Sequence, residues 1–161
     1  MHLKRDYKIC LFVAGCILLN YAGRMFASVH TLPAWFDSIG TVIAAYALGP
    51  FCGAVVGAAV NIIFGIHAKT ALVYGLTNVV VGITVGISAR KGYMKHLFGA
   101  LSTAFFVTVL SAALSTPLNY MFADGSTGNV WGDGVITLLQ EIGFHGIVSH
   151  FVGEFYLDFL D

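Results

Sequence analysis

The sequence predicts an all-α integral membrane bundle of about six transmembrane helices, forming a single domain. Of its 161 residues, 58% are hydrophobic and only 10% are charged, and the mean hydropathy is +0.84. Soluble domains are roughly half apolar and a quarter charged. A transmembrane helix needs about 20 mostly apolar residues, so the length fits roughly five to seven spans and no second domain.

The first three spans are bounded by a proline, an aromatic interface and a Gly-Pro break. The first, residues 7–28, is predicted to end before Pro33, because proline disfavours helix in the preceding residue. The second apolar run, 39–48, is shorter than a full span, and it extends back to residue 34 if the amphipathic stretch around Trp35 forms its interfacial end. The third, 51–66, follows the Gly-Pro break, where proline favours the first turn of a helix.

The last three spans surround the longest predicted loop. The fourth covers 71–89, and the fifth, 96–116, is predicted to stop before Pro117. Residues 119–134 are dense in Gly, Asp and Asn, which is typical of turns. The sixth span is predicted to be one helix over 136–157.

Small residues recur every four positions in the apolar runs, as is typical of closely packed membrane helices. We expect Gly53 and Gly57 to let the third helix approach a neighbour. Members of the pattern are Ala45, Gly49, Gly53, Gly57, Gly82 and Gly86.

The basic residues predict the orientation of the bundle. Six spans place both termini on one side, together with the loop between the fourth and fifth spans. Cytoplasmic segments of membrane proteins carry excess Lys and Arg. We therefore expect a multi-pass protein of the plasma membrane, held in the lipid bilayer with both termini cytoplasmic. The basic residues of that side are Lys4, Arg5, Lys8, Arg90, Lys91 and Lys95.

Several function classes are disfavoured by the sequence. It contains no serine nucleophile elbow, zinc-protease motif or Walker phosphate loop, so we expect neither an enzyme nor an ATPase. No cofactor and no metal ion are expected, since the three cysteines lack paired spacing. The net charge is +0 and the basic residues are dispersed, which disfavours a nucleic-acid partner.

Two His-carboxylate pairs lie on the predicted sixth span at helical i, i+4 spacing. They are Glu141 with His145 and His150 with Glu154. Each pair is able to share a hydrogen bond, hold a metal or relay protons. With no third ligand placed by the spacing, hydrogen bonds between helices are the favoured interpretation.

Polar residues inside or beside apolar spans are the candidate ligand-binding residues, because such groups are costly in hydrocarbon. Asp37 has two interpretations that the sequence leaves open, a ligand contact at a water-filled mouth or a helix cap. The candidate substrate-binding residues are Trp35, Asp37, Asn61, Asn78 and Asn119.

A series of motifs resembles one family of membrane proteins. Residues 32–41, Leu-Pro-Ala-Trp-Phe-Asp-Ser-Ile-Gly-Thr, are followed by Leu-Gly-Pro at 48–50 and Gly-Ala-Val-Val-Gly at 53–57, leading to Asn61. This series resembles the substrate-binding S component of energy-coupling factor (ECF) transporters. Two later stretches share the likeness, residues 124–128 and 154–158.

The resemblance implies a six-helix protein that binds a small-molecule substrate, a vitamin or other micronutrient, from outside. A transmembrane coupling subunit and a pair of cytoplasmic ATPases then drive its release inward. The family often docks through Ala-x-x-x-Ala on the first helix, whereas this sequence offers Cys10 with Ala14 and Gly23 with Ala27. Two alternatives stay open, a ligand-sensing module of a signalling protein and a structural subunit that needs no ligand.

Overall fold

The computed structural model describes residues 2–66, 68 and 70–161, and the regular elements in these ranges are all helical. A short 3₁₀ turn, Tyr93–Lys95, lies between the fourth and fifth helices. In chain order the α-helices are α1 His2–Val29, α2 Ile39–Leu48, α3 Pro50–Gly65, α4 Thr70–Arg90, α5 Leu97–Phe122, α6 Val130–Glu141 and α7 Ile147–Leu160.

Three of these helices are long and apolar enough to cross a membrane. The qualifying segments are Asp6–Val29 in α1, Ala71–Arg90 in α4 and Leu97–Phe122 in α5. The apolar helices α2 and α3 have only 10 and 16 residues. The predicted all-helical fold is confirmed, whereas the predicted number of full spans is not.

The interior of the bundle combines apolar and polar side chains, and many large apolar side chains lie on its exterior. Three asparagines, Asn20, Asn61 and Asn119, are fully buried. Large apolar side chains face outward instead, including Phe51, which is 78% exposed, and Phe98, which is 83% exposed. Exposure of so many apolar side chains to water would be unfavourable. Exposed apolar patches of this extent mark surfaces that contact another protein or a membrane. The pattern is compatible with a bundle whose outer surface contacts lipid.

Glycines allow α3 to pack closely between α2 and α4. A Cβ at Gly53 would lie 2.5 Å from the Cβ of Ala45 and 3.0 Å from the carbonyl oxygen of Gly82. A Cβ at Gly57 would lie 2.5 Å from the carbonyl oxygen of Asn78. The close approach predicted for Gly53 and Gly57 is therefore present, and it brings α4 against the α2–α3 hairpin.

The predicted boundaries around Pro117 are wrong, and the conditional extension of the second helix back to residue 34 does not form. The helix α2 begins at Ile39, where the predicted apolar run begins, because Phe36 has φ 54° and the chain there is not helical. Pro117 does not end the fifth helix, which continues to Phe122. Helices in membrane proteins tolerate proline where neighbouring groups compensate for the missing hydrogen bond. The loop before α6 is therefore residues 123–129, much shorter than the predicted 119–134.

The predicted sixth span is two antiparallel helices, not one. Gly143 has φ 97° and Gly146 has φ 72°, values that favour glycine and turn the chain between α6 and α7. After this turn α7 returns along α6, and the backbone N–H of Phe36 donates to the Asp161 carboxylate. Asp161 thus lies at the same end of the bundle as residues 30–38.

This return separates the two ends of the described chain. Residues 30–38 follow α1 directly, and a helix of 28 residues is about 40 Å long. His2 and Asp161 therefore lie at opposite ends of the bundle. Arg90 packs against Gly49 at the far end of α2, so the 90–95 segment lies towards the start of α1.

Replacing Gly57 by alanine tests the α3–α4 contact. We expect Gly57→Ala to lower the free energy of unfolding by about 1–3 kcal/mol, because the added methyl group meets backbone. Gly15→Ala is the matched control, since nothing lies within 4 Å of a Cβ there. It should be neutral or more stable by about 0.5–1 kcal/mol. Thermal unfolding in detergent measures both, and equal stabilities of the two variants would contradict the close packing.

Cysteine labelling tests the broken sixth span. In membrane vesicles of a variant with Cys10, Cys16 and Cys52 replaced by alanine, cysteines are introduced singly at Lys91, Val130 or Leu160. An impermeant maleimide should reach positions 130 and 160 from one side and position 91 from the other. Labelling of position 160 from the same side as position 91 would indicate one continuous sixth span.

Candidate functional site

A cavity of about 540 Å³ lies between α4, α5 and α7, with the 30–38 segment at one end. Pockets for drug-sized ligands typically measure about 300–1,000 Å³. The two ends differ in chemistry. Charged and aromatic side chains lie next to residues 30–38, and apolar side chains, among them Val81, Val85, Met94 and Val107, line the end nearer the 3₁₀ turn.

The charged end contains an ion pair between α1 and the 30–38 segment. Arg24 Nη1 lies 2.8 Å from Asp37 Oδ2, and the two side chains are 17% and 12% exposed. The guanidinium also lies over two aromatic rings, 4.5 Å from the centroid of Phe64 and 5.2 Å from that of Trp35. Cation–π contacts strengthen when water is excluded. Arg24 therefore fixes Trp35 and Asp37 at the cavity wall.

The structure argues against one of the two interpretations of Asp37, the helix cap. The residue that precedes α2 is Ser38, and its side chain makes no capping hydrogen bond. The Asp37 carboxylate pairs with Arg24 instead of with free backbone N–H groups. Asp37 also lines the cavity, which is the position that a ligand contact requires.

The five sequence-predicted site residues divide into two groups. Trp35, Asp37 and Asn78 line the cavity. Asn61 and Asn119 are fully buried and do not line it. Asn61 Nδ2 donates to the carbonyl oxygen of Gly57, and its Oδ1 lies 3.5 Å from Arg24 Nη1. Asn61 thus contacts the cavity-lining Arg24 without lining the cavity itself.

Asn119 holds two cavity-lining groups in place. Its Nδ2 donates to the carboxylate of Glu154, and its Oδ1 accepts from the hydroxyl of Tyr74. Tyr74 comes from α4 and Glu154 from α7. Asn119 therefore positions groups on two walls of the cavity, and its own side chain is enclosed.

The predicted site did not include several lining residues, among them Arg24, Asp158 and Asp161. Glu154, which the sequence indicated as one of a His-carboxylate pair, lies one turn before Asp158 on α7, and Asp161 follows that helix. Burial and the neighbouring Asp37 carboxylate raise the pKa of Asp161 to about 6. Only the return of α7 brings these residues to the cavity, so spacing alone did not reveal them. Arg24 could have been predicted from the sequence, because it is a basic residue within an apolar run.

The two predicted His-carboxylate pairs do not form. Glu141 ends α6 and His145 lies in the following turn, both exposed. His150 Nδ1 lies 2.8 Å from the carbonyl oxygen of Gly125, while Glu154 binds Asn119. Across the described ranges, no group of three or more His, Cys, Asp or Glu side chains is placed to hold a metal ion.

Comparisons with known proteins found no matching family model, curated protein or solved structure.

A double-mutant cycle tests the Arg24–Asp37 pair. We expect Arg24→Gln and Asp37→Asn each to lower the free energy of unfolding by about 3 kcal/mol, because each leaves its partner charge buried and unpaired. The double variant should lose clearly less than the sum, and thermal unfolding in detergent measures the difference. Additive losses would show that the two side chains contribute independently.

Proposed function

We propose that this chain is the membrane-embedded S component of an ECF-type transporter, which captures a vitamin or similar micronutrient in the 540 Å³ cavity. The main support for the proposal is the position of the motif that resembles the ECF S-component family. Within residues 32–41, Trp35, Asp37 and Ser38 line the cavity, so the stretch that resembles the family also forms part of the cavity wall.

The chemistry of the cavity supports a small amphiphilic ligand. Trp35 offers a flat aromatic face near the charged end, and Asn78 offers amide hydrogen-bonding groups further in. Beyond them, Val81, Val85 and Val107 offer an apolar surface. Ligand sites of this kind are mostly apolar, with a few placed polar groups that give orientation and specificity.

The surface of the bundle supports a membrane setting. Apolar side chains cover the outside of α1, α4 and α5, which are long enough to span the hydrocarbon core of a bilayer. We propose that the 90–95 end, which is rich in Lys and Arg, faces the cytoplasm. The 30–38 end and the charged end of the cavity then face outward, the side from which a nutrient arrives.

Transport requires partner proteins in this proposal. The sequence contains no phosphate-binding loop, so the energy for uptake has to come from separate ATPase subunits. A transmembrane coupling subunit would transmit it. Within the most apolar 18-residue window of α1, 11% is buried, so this helix offers a large apolar surface for such a contact.

Retention of a small molecule tests the proposal through Trp35. The chain is purified in mild detergent, and molecules released by denaturation are identified by mass spectrometry. We expect one species at near-stoichiometric amounts, bound about ten-fold or more weakly by Trp35→Ala, because a central aromatic contact is lost. Trp131→Ala is the matched control, since Trp131 is exposed and lies outside the cavity.

Equal retention by the Trp35→Ala and Trp131→Ala variants, with both folded, would place the ligand elsewhere. Retention by the wild-type chain without uptake in cells that also produce a coupling subunit and ATPases would favour the sensor alternative. Absence of any retained or added ligand would contradict the proposed function.

A further inference from the structure

The charged end of the cavity has an unbalanced set of charges. Four carboxyl groups line it, and among the described lining residues Arg24 is the one cation. Arg24 is already engaged by Asp37 at 2.8 Å. Three carboxyl groups, those of Glu154, Asp158 and Asp161, therefore have no basic partner in the part of the chain that the structure describes.

Two of these three carboxyl groups are bound by neutral donors. Glu154 accepts from the amide of Asn119, and Asp161 accepts from the backbone N–H of Phe36. Asp158 differs, because its Oδ2 is buried and has no hydrogen-bond partner among the described residues. Burying a carboxylate oxygen without a partner is costly, so such an atom calls for an explanation.

An independent observation comes from the opposite wall. Thr77 lies on α4, is 8% exposed, and its Oγ1 is also buried without a hydrogen-bond partner in the described ranges. Thr77 lines the same cavity as Asp158. Four threonines in this bundle donate to the carbonyl oxygen four residues earlier, namely Thr103, Thr108, Thr116 and Thr137. Two residues with an unsatisfied polar atom thus line one cavity from different helices.

We propose that the ligand of this cavity carries a cationic nitrogen group that binds Asp158 and Asp161, with a second polar atom at Thr77. A charged N–H donor supplies the missing hydrogen bond at Asp158 and balances the surplus of carboxyl groups, which a neutral donor does not do. The apolar body of the ligand lies towards Val81 and Val85. This inference rests on the proposed function for its premise that the cavity takes a ligand.

Three probes on one skeleton test the charge of the ligand. 2-Naphthamidine is cationic at neutral pH, 2-naphthamide is neutral and 2-naphthoate is anionic, and all three are smaller than the cavity. Calorimetric titration of the purified full chain in detergent at neutral pH gives their affinities. We expect the amidine to bind about ten-fold or more tightly than the amide, and the carboxylate to bind more weakly still.

Substitutions then assign the effect to the proposed carboxyl groups. Asp158→Asn and Asp161→Asn should each weaken amidine binding about ten-fold or more while leaving amide binding nearly unchanged. Asp124→Asn is the matched control, because it removes the same charge from an exposed residue outside the cavity. Thermal unfolding of each variant shows that it is folded, and two separate carboxyl variants keep the test valid if one of them does not fold.

The outcomes separate this inference from the proposed function. Equal or tighter binding of the amide or the carboxylate would overturn the cationic assignment and leave the S-component proposal standing. Failure of all three probes to bind would also overturn it, because the cavity has room for each. Amidine binding that survives both carboxyl substitutions would overturn the placement at Asp158 and Asp161.

Discussion

The structure depends on the ion pair between Arg24 and Asp37, because it joins three parts of the chain at one point. Arg24 comes from the long first helix, Asp37 from the irregular 30–38 segment, and Asn61 of α3 lies against the same guanidinium. Without this pair, the segment before α2 would have no charged anchor to the first helix. A charge pair held in a largely apolar bundle is costly unless its geometry is good, so it fixes the segment in one conformation.

The turn between α6 and α7 is a second constraint, because it sets the path of the last helix. It sends α7 back towards the 30–38 segment, where Asp161 meets the backbone of Phe36. α7 packs against α5 and α6, and its acidic face closes one side of the cavity. The same turn therefore explains both the separation of the chain ends and the concentration of carboxyl groups at one end of the cavity.

The sequence allowed the apolar helices and part of the site to be predicted, for identifiable physical reasons. α3 and α4 are bounded by clear breaks in hydropathy and agree with prediction to within about two residues. The α6–α7 turn was missed because hydropathy averages over Gly143 and Gly146, whose positive φ values decide the path. Trp35 and Asp37 were found from local motifs. Asp158 was not, because its position depends on how the last helix folds back.

We propose that the cavity beside residues 32–41 holds the ligand of a membrane-embedded binding protein. An experimental structure of the full chain, purified together with the small molecule it retains, tests this directly. We expect density for that molecule between Trp35 and Asn78, with its polar end at the carboxyl groups of α7. Density for the molecule elsewhere, or a cavity filled by side chains of the protein itself, would contradict it.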